Sequence, residues 1–166
     1  LESVELGSGV AFASTTAELR VSTGAVIERI QSAETDERRQ QLLLQEVSAI
    51  EQRMISLRAS QRQTIDAYAR GDRTPRQLLY ELAAIDAEAR ELEDRRERIQ
   101  SLTESTSGFS ISSSRFGNIE LELNTLTGPV RGHAAAVLGG EADSARFFVQ
   151  TGPDSVALGV IRDGTY

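Results

Sequence analysis

Between residues 43 and 68 one face of the chain repeats at alternating steps of four and three: Leu43, Val47, Ile50, Met54, Leu57, Gln61, Thr64 and Tyr68. Leu78, Leu82, Ile85, Ala89, Leu92, Arg96 and Ile99 repeat the same spacing. Both runs are heptad seams, the signature of two helices that pack along each other. Between them stands Arg70-Gly71-Asp72-Arg73-Thr74-Pro75-Arg76-Gln77. Gly71 suits the left-handed residue just past a helix. Thr74 reads as an N-cap, Pro75 as the first helical residue, and Gln77 completes a capping box. The pattern therefore predicts helices over about 36–70 and 75–103, with Thr35 as the N-cap of the first. So short a connection makes the pair antiparallel. The hairpin should be about 45 Å long at ~1.5 Å per residue.

Elsewhere the pattern is weaker. Leu19, Thr23, Val26, Ile27 and Ile30 predict a preceding helix from about Thr15 to Ala33, and residues 1–14 carry no clear period. Residues 103–114 are Ser-rich, and Phe109 and Ile111 alternate with Ser, so this stretch reads equally as a short strand or as a loop. Residues 115–126 fit two templates. Ile119 to Asn124 alternate like a strand, while Phe116, Ile119, Leu123 and Leu126 step like a helix. After Gly128-Pro129 a helix is expected through Leu138, stopped by Gly139-Gly140. Residues 146–150 and 156–161 read as strands around a turn at 151–154. Asp163-Gly164 reads as a hairpin turn opening a third strand that is cut short at Tyr166, as in a piece of a longer protein.

The predicted fold class is α+β: a long antiparallel helical hairpin with a preceding helix, and a small C-terminal base of helix and β-meander. The corresponding regions are 1–104 and 105–166. Low aromatic content, 5% with no Trp, fits a helical core of Leu, Ile, Val and Ala.

Charge narrows the function classes. All 18 basic residues are Arg, against 25 acidic ones, for a net charge of −7. A Lys-free acidic chain points to a medium full of salt, and a GC-rich genome that favours Arg codons gives the same bias. Nucleic acid is excluded as a partner, because Arg95, Arg96 and Arg98 stand among Glu91, Glu93, Asp94 and Glu97 and form no basic face. No apolar run is long enough to insert in a membrane. No Cys is present, and His133 is the single His, which removes thiol chemistry and a His triad. Ser112, Ser113 and Ser114 lie in no nucleophile elbow and have no Lys to act as base. Glu88, Glu91, Asp94 and Glu97 read as a solvated helix face interleaved with Arg, not as a calcium site. Gln61 and Arg96 on the seams read as stems packed on the seam with heads reaching water. No catalytic residue, metal or cofactor is expected.

Three segments carry a resemblance: residues 78–90 (LLYELAAIDAEAR), 126–131 (LTGPVR) and 162–166 (RDGTY). They resemble a family of haloarchaeal exported proteins built around a domain of unknown function. The resemblance implies an extracytoplasmic location, a leader peptide and further sequence beyond residue 166. It tilts residues 115–126 toward helix and supplies no catalytic residues.

Two functions follow as expectations. The first is a non-enzymatic interaction or spacer module whose partner is protein, either a second copy in a homodimer or another cell-surface protein. Its surface would be the apolar residues off the seam: Leu42, Leu44, Ile55, Ile65 and Leu79. The second is a small-ligand or anion-binding module in the C-terminal base, using Arg131, His133 and Arg146 near a helix N-terminus. A hydrolase completed by residues outside this chain is a weaker third.

Overall fold

The computed structural model describes residues 1–152 and 155–161. The expected turn at Asp163-Gly164, the strand after it, and Pro153-Asp154 lie outside the described residues. The elements in chain order are β1 (Glu2–Leu6), α1 (Val10–Gln31), α2 (Asp36–Ala69), α3 (Pro75–Glu104), α4 (Ser113–Asn124), α5 (Pro129–Leu138), β2 (Ala145–Thr151) and β3 (Val156–Ile161). The architecture is α+β.

The heptad hairpin forms as its sequence dictates. Thr35 Oγ1 accepts from Arg38 N at 3.1 Å and caps α2. Gly71 takes the left-handed conformation, φ +83°, just past its end. Thr74 and Gln77 close the reciprocal capping box, with bonds of 3.1 and 2.9 Å. Val47, Ile50, Met54 and Leu57 share one core cluster with Ala89, Leu92 and Ile99.

The hairpin is not a bare rod. Helix α4 packs on both of its helices, and α1 and α5 pack along α3. Phe116, Ile119 and Leu123 of α4, with Leu126, join the core cluster at the end away from the α2–α3 turn. Residues 115–126 thus settle as helix, because the three-four spacing of these four residues gives one buried stripe. Near the turn, Leu78, Leu79, Leu82 and Ala83 meet Ala134, Val137 and Leu138 of α5 and the inner face of the sheet.

That sheet runs β1-β2-β3, antiparallel throughout. Its first strand comes from the N-terminus: Val4 pairs with Phe147 and Leu6 with Ala145. Residues 1–14, unassigned from the sequence, supply this edge strand and the start of α1. Both core clusters draw residues from either side of 104/105. Phe109 and Ile111 form no strand; they are side chains packed against the first cluster from the loop before α4.

Candidate functional site

The polar centre of the molecule is Asp86. It lies in the apolar run Leu82-Ala83-Ala84-Ile85-Asp86-Ala87 of α3, and its carboxylate is fully buried. A buried carboxylate needs partners, and three donors supply them. Arg90, one turn on, donates Nε at 2.7 Å and Nη2 at 3.4 Å. Gly128, at the N-terminus of α5, donates its backbone N–H at 3.0 Å. The Arg90 guanidinium also reaches the Gly128 carbonyl at 3.4 Å and lies across Gly132, where a Cβ would stand 2.8 Å from Nη2. A side chain at Gly132 would have to displace the end of this arginine.

This explains what becomes of the expected anion site. The N-terminus of α5 does attract an anion, and the anion is the chain's own Asp86. Arg131 is largely buried, and its guanidinium donates to Gln61 Oε1 on α2. Burial lowers its pKa from the ordinary arginine value, and the negative charge of Asp86 opposes that fall. His133 lies two residues on, about 200° around the helix at ~100° per residue. Its ring packs on Phe147, at 5.9 Å between centroids. Arg146 precedes Phe147 on β2 and so points to the opposite face of the sheet, where it pairs with Glu5 at 2.7 Å. Arg131, His133 and Arg146 thus serve three different contacts and do not converge.

A groove of about 320 Å³ runs beside this node between α1, α3 and α5. Its floor is made of small residues, Ala13, Ala17, Ala135 and Gly139, and the Arg20–Glu141 ion pair stands in its lining. The signal for Asp86 and Arg90 was a lone carboxylate in an apolar helical run with Arg four residues later.

The seam polar residues are also tied down. Arg96 is 5% exposed, so its head does not reach water as expected. Its guanidinium is held by Glu93 at 2.6 and 2.9 Å and by Gln100, with Glu97 and Glu120 each at 3.9 Å. The bond to Glu93 raises its pKa above the ordinary value, against the opposing effect of burial. On the carboxylate face, Glu88 pairs with Arg53 and Asp94 with Arg98. No cluster of three or more potential metal ligands occurs among the described residues. No described helix is long and apolar enough to cross a membrane.

The off-seam apolar residues divide. Leu42 and Leu79, at 3% and 1% exposed, belong to the core and not to a surface. Leu42 joins the cluster that contains Ile30 of α1, and Leu79 is covered by α5 and the sheet. Ile65 is half-buried against the second cluster. Leu44 and Ile55 remain open, Ile55 at 62%.

Ile55 sits in an exposed stripe with Gln41, Gln45, Ser48, Gln52 and Ala59, and Leu44 stands on its edge. From 41 to 59 this stripe carries no charge, in a chain of which 26% is charged. Ion pairs border it on both sides. Arg29–Glu46 and Arg53–Glu88 bind α2 to α1 and α3, at 3.0 and 2.7 Å. Arg115–Glu51 and Arg58–Glu122 bind it to α4, at 2.6 and 3.2 Å.

No curated protein and no solved structure matches the chain. The sequence profile of one family, described as Domain of unknown function (DUF7096), matches residues 2–143. That span runs from β1 through α5 and includes the hairpin, the Asp86 node and the uncharged stripe of α2, so the chain belongs to the DUF7096 family.

Proposed function

We propose that this protein is a non-enzymatic interaction module that associates through the outward face of α2, with a second copy of itself as its partner. We place it outside the cytoplasmic membrane of a haloarchaeon, on the sequence resemblance. The observation that carries the reading is the uncharged stripe from Gln41 to Ala59, exposed along about 27 Å of helix at ~1.5 Å per residue. A net −7 chain repels its own copy, and that repulsion is weak along an uncharged stripe.

The stripe is self-complementary in one orientation. Two α2 helices laid antiparallel, centred between residues 53 and 54, set Gln52 against Ile55 and Ser48 against Ala59. The same register sets Glu37 of one copy opposite Arg70 of the other. Small residues at Ser48 and Ala59 let the backbones approach.

Sedimentation velocity in molar KCl tests this. The wild type should shift toward dimer as concentration rises to the high micromolar range. The Leu44→Glu/Ile55→Glu variant should stay monomeric with unchanged helix content. A wild type that stays monomeric throughout would contradict the proposal.

A further inference from the structure

The two edges of the sheet are not alike. β1 carries Glu2 and Glu5, and charge is a common guard of an open edge. β3 reads Val-Ala-Leu-Gly-Val-Ile, with neither charge nor proline. Among the described residues β3 pairs with β2 on one side and with no strand on the other.

The register fixes which groups face that open side. Gly152 donates its backbone N–H to the Ser155 carbonyl at 2.7 Å, so these two form a hydrogen-bonded pair at the closed end of the β2–β3 ladder. The ladder then runs without a break from Thr151 opposite Val156 to Arg146 opposite Ile161. Hydrogen-bonded and non-bonded pairs alternate along it. Ala157, Gly159 and Ile161 therefore bond β2, and Val156, Leu158 and Val160 turn their backbone groups to the open side. Each of these three offers one N–H and one C=O there. Their side chains pack against the cluster beneath the sheet. They are only half-buried, while Phe147 and Val149 of the central strand are 0% and 1% exposed. The core under the sheet is thus unfinished where the backbone groups are open.

We propose that the open edge of β3 receives an extended segment of a partner protein as an added antiparallel strand, with apolar residues at alternate positions and no acidic ones. Backbone groups repeating at every second residue match an extended chain and not a helix. A partner residue opposite Val156, Leu158 or Val160 closes the hydrogen bonds and also points its side chain toward the helical layer, so these positions must be apolar. The intervening positions lie beside Ala157 and Gly159 on the outer face and tolerate polar residues. The net charge of −7 disfavours an acidic segment. This edge is separate from the α2 stripe and does not depend on self-association.

The probe is a fluorescein-labelled peptide, Arg-Val-Thr-Val-Thr-Val-Arg. It is titrated against the full chain in molar KCl, which screens the general attraction of a basic peptide to an acidic protein. Fluorescence anisotropy should show saturable binding with one site per chain. N-methylation of the valines removes the N–H groups that meet β3 and should weaken binding about tenfold. N-methylation of the threonines, whose N–H groups point away, should leave binding within about twofold. Val156→Pro removes one open N–H at the first residue of the strand, where proline is tolerated, and should weaken binding about threefold. Leu44→Glu/Ile55→Glu should leave binding unchanged, so this proposal and the α2 reading fail separately. Absence of saturable binding to the wild type overturns the proposal. So do equal losses from the two methylated peptides, indifference to Val156→Pro, or loss with Leu44→Glu/Ile55→Glu. Binding that appears only when residues 162–166 are deleted overturns it too, since the edge would then belong to the chain's own following residues.

Discussion

Asp86 shows how one side chain can join distant elements. It ties α3 to the start of α5 and sets the field in which Arg131 sits. Removing the charge while keeping the shape leaves Arg90 and the Gly128 N–H short of a full acceptor. Asp86→Asn should therefore cost about 2 kcal/mol, in the range for hydrogen bonds to a charged group, as read from urea denaturation. Tyr68 works at the molecule's other edge, where its hydroxyl donates to the Glu2 carboxylate and fastens β1 to α2. Burial, then that bond, pushes its pKa up to about 12 from the ordinary 10. Because the folded pKa lies above the unfolded one, this contribution is complete below pH 10 and is lost as pH rises toward 12. The wild type should lose stability between pH 10 and 12 relative to Tyr68→Phe, and parallel melting curves for the two would refute the contact.

The helices carry their own instructions where local chemistry is strong. The Thr-Pro-x-Gln signature places the start of α3 at Pro75, and Thr74→Ala should cost about 1 kcal/mol, measurable by thermal melting. The heptad steps of α2 and α3 were legible for the same reason: period and caps agree. What lay beyond reach was what covers the hairpin. Nothing local in Glu2–Leu6 announces that its partner is β2, more than 130 residues away. Residues 115–126 fit both templates, Ile119 to Asn124 alternating and Phe116, Ile119, Leu123 and Leu126 stepping as a helix, until the hairpin gives the second set a surface. The same missing partner put Leu42 and Leu79 on a supposed surface. Arg96 was legible as a seam residue but not as a buried one, because its cage includes Glu120, brought by α4. At the α5 terminus the sequence exposed the helix start but hid the internal carboxylate that occupies it.

At the scale of the whole molecule, charge and shape act together. A net charge of −7 with no Lys means self-repulsion across the surface, and salt at 1 M screens it within about 3 Å. The melting temperature should rise between low and molar KCl, and a flat or falling trend would contradict that account. In the proposed dimer two copies meet along the uncharged stripe of α2, where this repulsion is weak. Because the chain has no Cys, one introduced cysteine gives one spin label per copy. In the antiparallel register, labels at Gln52→Cys come within about 20 Å of each other across the pair, while labels at Gln41→Cys stand about 40 Å apart. Pulsed dipolar spectroscopy in molar KCl measures both distances on an otherwise unaltered protein. The account predicts a short distance at 52 and a long one at 41. Equal distances at the two positions, or no dipolar signal at either, would contradict it.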